Sequence, residues 1–263
     1  MAQRMPVVFF GHGSPMNALA DNDVTRAWAR IAAAMPRPRA ILCISAHWET
    51  RGSAVTAMEK PRTIHDFGRF PQALFDVRYP APGEPALAAR VAALLDPTPV
   101  AMDLEWGLDH GTWSVLCKAW PAADIPVVQL SLDAGLGLEA CVDIGRRLAP
   151  LRDEGVLIAG SGNIVHNLSL MDWQAPQGPG FDWAERFSAD IHQAIAAGAT
   201  ETIVHYDRFG QGGRLAVNSE EHFRPLLYVL GARAPDDAVR FETDHIEYGS
   251  LSMTTVVFEQ AAA

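Results

Sequence analysis

The residue this chain repeats where chemistry is done is histidine. Val7-Val8-Phe9-Phe10 is a short apolar run that breaks at Gly11-His12-Gly13-Ser14-Pro15. Four apolar residues, two of them β-branched, read as a buried strand. The glycines allow a sharp turn and a close backbone approach to a bound species. The device recurs. The run from Ala40 to Ser45 leads into Ala46-His47-Trp48-Glu49, and Gly155 to Ala159 leads through Gly160-Ser161-Gly162-Asn163 to His166. In an open α/β sheet, ligands bind beyond the carboxyl ends of the strands. Three imidazoles carried this way should face one crevice.

The settings of the nine histidines differ. His110 and His222 each fall at or near the start of a helical stretch, where the positive end of the helix dipole favours the neutral ring. Neutral imidazole is the form that ligates metals or hydrogen-bonds in catalysis. His166 follows a glycine-rich turn that is expected to open a helix, and backbone N–H groups in such a turn can hold an anion or an oxygen ligand. His65 lies in an aromatic loop, Thr63 to Pro71, and could line a pocket. His192 reads as a surface residue within a helix, and His205 and His245 read as structural. The chain lacks His-Glu-x-x-His, a cysteine knuckle, Gly-x-Ser-x-Gly, Gly-x-Gly-x-x-Gly and the P-loop pattern. What remains is a dispersed histidine site assembled by the fold, and such a site suits a divalent transition metal.

The elements that must position these rings alternate. Strands are expected at Pro6–Phe10, Ala40–Ser45, Ser53–Met58, Leu74–Tyr79, Thr98–Met102, Pro126–Leu132, Gly155–Ala159, Val239–Thr243 and Ser250–Phe258. Helices are expected at Asp23–Ala34, Pro85–Leu95, Trp113–Ala119, Leu138–Leu148, Phe181–Ala197 and Ser219–Leu230, with Ser219 as N-cap. This alternation predicts one α/β domain over residues 1–263, with a mostly parallel mixed sheet flanked by helices on both faces. The chain has 263 residues, 49% hydrophobic and 20% charged, and a formal net charge of −10. That balance argues against a nucleic-acid surface. Cys43, Cys117 and Cys141 are odd in number and far apart, which fits reduced thiols. No leader pattern or membrane-length apolar run is present, so a cytoplasmic protein is expected. A monomer and a homodimer are equally compatible with the sequence.

Taken together, the motifs resemble one family, the class III extradiol ring-cleavage dioxygenases related to the catalytic subunit of protocatechuate 4,5-dioxygenase, in their 4,5-DOPA dioxygenase branch. The resemblance rests on Gly11-His12-Gly13-Ser14-Pro15, Ser45-Ala46-His47-Trp48-Glu49 and Thr63-Ile64-His65-Asp66-Phe67-Gly68. It continues through Leu108-Asp109-His110-Gly111-Thr112-Trp113, Ser161-Gly162-Asn163-Ile164-Val165-His166-Asn167-Leu168 and Glu221-His222-Phe223-Arg224-Pro225-Leu226-Leu227. The tail Gly249-Ser250-Leu251-Ser252-Met253 also fits. The motifs span essentially the whole chain.

The resemblance implies a non-haem Fe(II) enzyme that opens a catechol ring with O₂ to a muconic semialdehyde. It implies His12, His47 and His222 as metal ligands and His166 as the acid/base, with a possible approach of His166 to the metal. It implies His110 as a second active-site histidine that bonds substrate or oxygen. It gives His65 no clear role. The protocatechuate branch uses two histidines and a carboxylate. Here the third position is His222, and Glu221, as its neighbour on a helix, is expected to point elsewhere. Three imidazoles also suit zinc, so purified protein is expected to carry Zn(II) even if iron is the working metal. A zinc hydrolase on the same frame and a non-catalytic zinc-binding homologue are the alternatives. Trp48, Phe67, Phe70, Trp106 and Trp113 are candidates for an aromatic pocket wall.

Overall fold

In β1 (Val7–Gly11) every residue is buried, and alternate side chains enter two different cores. Val7 and Phe9 pack on one face of the sheet and Val8 and Phe10 on the other. A strand covered on both sides reads as a continuous apolar run, which is why this one stands out in the sequence. The structure is a computed structural model describing residues 4–261, so the domain expected over 1–263 extends past these at both ends.

After β1 come α1 (Asp23–Ala34), β2 (Ala40–Thr50), β3 (Ser53–Thr56), α2 (Gln72–Phe75), α3 (Pro85–Leu94), β4 (Val100–Asp103), α4 (His110–Ala119) and β5 (Val127–Asp133). The second half holds α5 (Leu138–Leu148), β6 (Val156–Gly162), α6 (Asp182–Ala196), α7 (Thr200–Val204), α8 (Gly210–Ala216) and α9 (Arg224–Ala232). It ends with β7 (Asp237–Glu242), β8 (Ile246–Glu247), β9 (Leu251–Ser252) and β10 (Thr255–Gln260). The main sheet has the order β4-β3-β5-β2-β6-β1-β10-β7, with β8 and β9 a separate hairpin. Its centre, β5-β2-β6-β1, is parallel throughout. β10, β7 and the β3–β5 pairing are antiparallel. Helices α1 and α4 cover one face, and α3, α5, α6 and α9 cover the other. The expected α/β class, mixed sheet and two-sided helical cover are therefore present.

The departures have local causes. The segment expected as a strand at Leu74–Tyr79 instead holds the single turn α2, and Tyr79 leaves it to donate its hydroxyl to the Trp120 carbonyl at 3.1 Å. A short apolar run carries no period long enough to tell strand from helix turn. α4 starts three residues before the expected Trp113, because Asp109 caps it and accepts from Thr112 N–H at 3.0 Å. No α-helix opens after Gly162. Asn163 N–H donates to the His222 carbonyl at 2.9 Å and His166 N–H to the Ala216 carbonyl at 2.9 Å, so these donors are taken by distant partners. A short 3₁₀ turn follows at Leu168–Leu170. Ser219 does not cap α9. Its hydroxyl lies 2.8 Å from Glu221 Oε1, and the helix begins around Pro225, which is suited to a first turn. The strand expected over Ser250–Phe258 is broken into β9 and β10, and α7 and α8 were not anticipated. Among the described residues, no helix is long and apolar enough to cross a membrane.

Candidate active site

The parallel strands carry three imidazoles toward one end of the sheet. His12 follows β1, and its N–H donates to the Gly162 carbonyl at the end of β6 at 3.1 Å. Gly13 has φ +59°, so the chain can leave at once without steric cost. His47 does not follow a finished strand, as expected, but lies inside β2. There the pairing with β5 shifts register between Ile44 and Glu49. Such irregularities re-aim a side chain beside a site. His166 lies in the stretch after β6. His222 comes from the turn before α9. His12, His47 and His222 each place one ring nitrogen within 4.8 Å of the other two.

Hydrogen bonds decide which nitrogen each ring offers. Ser161 donates its one hydroxyl proton to the Gly111 carbonyl at 2.6 Å, so toward His12 Nδ1, 2.9 Å away, it accepts. His12 therefore carries its proton on Nδ1 and offers Nε2, which stands 3.2 Å from His47 Nε2. Two nitrogens about 2.1 Å from one metal ion, at roughly 100° to each other, have such a separation. His222 Nδ1 donates to Glu221 Oε1 at 3.0 Å, leaving its other nitrogen free. Glu221 thus does not point away: it lies in a turn rather than a helix, and its carboxylate reaches its neighbour's ring. Partners of this kind fix the orientation of a ligand and raise its basicity. The donor set fits a divalent metal.

Burial keeps these rings uncharged. It pushes His12 and His222 well below the ordinary imidazole range, and the surrounding imidazoles push the same way. It takes His47 down to about 3, with His110 adding to the effect and Asp66 opposing it. His166 falls to about 4, again mainly by burial, with Glu221 opposing. Metal ligation requires the neutral form, so the fold supplies it in advance.

Two further rings border the trio. His166 stacks on His222 with centroids 3.5 Å apart and planes 6° apart. His110 lies over His47 at 3.8 Å. Its Nδ1 donates to Asp66 Oδ2 at 2.8 Å, and its backbone N–H donates to Asp66 Oδ1 at 2.9 Å. Asp66 Oδ2 is also 3.7 Å from His47 Nδ1. Nothing local in the sequence marks Asp66. Its partner is 44 residues away, and nothing local announces the pair. Asp109, fully buried, ties the frame together by accepting from Ser45 Oγ at 2.7 Å and Gln129 Nε2 at 2.7 Å.

All five imidazoles line one cavity of about 280 Å³. Phe67 and Phe70 line it as well. The other aromatic candidates do not. Trp113 is core, with Nε1 donating to the Ile64 carbonyl at 2.7 Å, and Trp48 stacks on Trp106 at 5.6 Å. His65 sits behind the wall, its Nε2 3.1 Å from the Val77 carbonyl and its ring 5.8 Å from Phe67. His192 is not the surface residue expected: its side chain is 14% exposed and stacks on Phe241 at 4.6 Å. His205 and His245 pair with Glu201 and Glu247, away from the cavity.

Known proteins resemble this chain over nearly its whole length. Residues 6–259 match the model for the catalytic LigB subunit of aromatic ring-opening dioxygenase. A 4,5-DOPA dioxygenase extradiol of Escherichia coli (strain K12) is 50% identical over 257 residues, covering 96% of this chain and 94% of its own. One from Beta vulgaris is 36% identical, covering 94% and 96%. The crystal structure of an uncharacterized protein, JW3007, from Escherichia coli K12 has a TM-score of 0.83 at 44% identity, covering 97% of this chain and 99% of that one. The chain belongs to the family of catalytic LigB subunits of aromatic ring-opening dioxygenases, and with them to the oxidoreductases.

Proposed function

We propose that this chain, acting over residues 1–263 as one catalytic domain, is a metal-dependent extradiol dioxygenase. It opens a catechol of the 4,5-DOPA type or a related one, with O₂, to a muconic semialdehyde. The observation that carries this reading is five buried or half-buried imidazoles on one cavity, three of them within 4.8 Å of one another. His12, His47 and His222 hold the metal. Fe(II) is the working ion, and zinc is expected in protein purified without added iron. A bound Fe(II) supplies the positive charge that acidifies the catechol hydroxyls and the electrons that let O₂ react.

The chain's own groups do the rest. His166 takes the second phenolic proton and returns it as the ring opens. Burial makes its imidazolium a ready donor, and it accepts only from an acidified hydroxyl. His110, with Nδ1 held by Asp66, presents Nε2 to the substrate. From there it accepts a hydrogen bond from a substrate hydroxyl, while the Asp66 carboxylate holds the ring in place. Phe67 and Phe70 help keep water from the ring. The same proposal sets the enzyme in the cytoplasm, where the unbridged Cys43, Cys117 and Cys141 stay reduced.

The test is oxygen uptake by protein loaded anaerobically with Fe(II), given L-DOPA and simple catechols, beside a zinc-loaded sample. Iron-dependent uptake with a new visible chromophore is expected. No uptake with any diol at full iron occupancy would overturn the proposal.

A further inference from the structure

A catechol fills the metal end of such a site and leaves its ring substituent to be met by the rest of the cavity. That remainder is mainly apolar. Phe67, Phe70, Leu168, Met171 and Trp173 line it. Tyr248 lies beside Trp173, ring centroids 5.3 Å apart. The apolar surface continues outward past the mouth: Trp173 is 71% exposed and Leu168 53%. Large apolar side chains left in water at the lip of a cavity mark a binding surface. Among the described residues, no Lys, Arg, Asp or Glu lines this cavity. The nearby carboxylates of Asp66 and Glu221 are engaged by His110 and His222.

Resting on the catechol reading, we propose that this site selects catechols whose ring substituent is uncharged and apolar, with Trp173 as the specificity-determining residue. An ammonium and a carboxylate, such as an amino-acid side chain carries, would lose water against this wall and meet no opposite charge. An apolar substituent gains about fourfold in affinity for each methylene it buries. The indole supplies a large rigid apolar face at little entropic cost.

Two measurements on the whole protein test this. The first is calorimetric binding of catechol, 4-methylcatechol, 4-ethylcatechol and L-DOPA to zinc-loaded protein, which reports the cavity without turnover. The second is kcat and KM for the same diols with iron-loaded protein. Affinity is expected to rise about fifteenfold from catechol to 4-ethylcatechol, and L-DOPA is expected to bind more weakly than catechol. Trp173→Ala is expected to weaken 4-ethylcatechol by about tenfold and compress the series, raising KM rather than lowering kcat. L-DOPA binding as tightly as 4-ethylcatechol would overturn the inference, and so would an unchanged series in Trp173→Ala. If iron-loaded protein turns over none of the diols while the zinc-loaded protein keeps the ranking, the dioxygenase reading fails and the selectivity stands.

Discussion

Behind two of the three proposed ligands stands a group whose work is orientation. Ser161 holds the proton of His12 on Nδ1, and Glu221 does the same for His222. Removing either leaves the ring free to rotate or change tautomer. Ser161→Ala and Glu221→Ala are each expected to weaken metal binding by about 10- to 100-fold. Competition against a chelator of known affinity measures this, and unchanged affinity in both would show that packing alone orients the rings. His166 differs in kind. It stacks on His222 and groups with Glu221 and His222 within 4.8 Å, but not with His12 and His47. His166→Ala is therefore expected to keep its metal by elemental analysis and to lose turnover by about 10²- to 10⁴-fold. Loss of metal from this variant would make His166 a ligand instead.

At the scale of elements, the site depends on the ends of β1 and β6, the irregular stretch of β2 and one turn meeting without spare room. Gly162 closes β6 against the turn that carries His222, and a Cβ there would lie 2.1 Å from the His222 carbonyl oxygen. Backbone cannot yield as a flexible side chain can. Gly162→Ala is expected to displace the turn, so that the protein folds with its sheet intact by circular dichroism but binds metal far more weakly. Metal affinity equal to the parent would show that the turn has slack. This dependence also explains what could be read in advance. β1 and β6 were legible because strands buried on both faces are continuously apolar, and His12 stands where one of them stops. The irregularity that aims His47 was not, because a shift in register belongs to the pairing of β2 with β5 and to neither strand alone. The turn bearing His222 was mistaken for helix because its sequence is compatible with one. The competing bonds, from Asn163 to the His222 carbonyl and from His222 to Glu221, come only with the fold. Asp66, within Thr63–Gly68, shows no local sign of its bond to His110 for the same reason.

In the whole molecule, a cluster of buried imidazoles ties stability to pH. Burial holds His166 to about 4 and His47 to about 3, with His12 and His222 well below 6.5. In the unfolded chain each returns to about 6.5. Above that value neither state binds protons at these rings, and their contribution is flat. As the pH falls from 6.5 toward 4, the unfolded chain takes up protons that the folded chain excludes, so stability falls with it. For His166 alone the loss across that window is on the order of 3 kcal/mol. Metal-free protein is therefore expected to show a melting temperature that drops steadily below pH 6.5, as followed by thermal denaturation. A temperature independent of pH there would mean the rings titrate normally in the fold. The same neutrality governs metal uptake. Rings already unprotonated release few protons when they ligate, so affinity is expected to stay nearly flat from about pH 8 to 6, where exposed histidine sites weaken. Calorimetry in two buffers of different protonation enthalpy counts the protons released. Close to none at pH 6.5 is expected, and release of two or more would show that the metal-free cluster is charged and that burial does not prepare it for its ion.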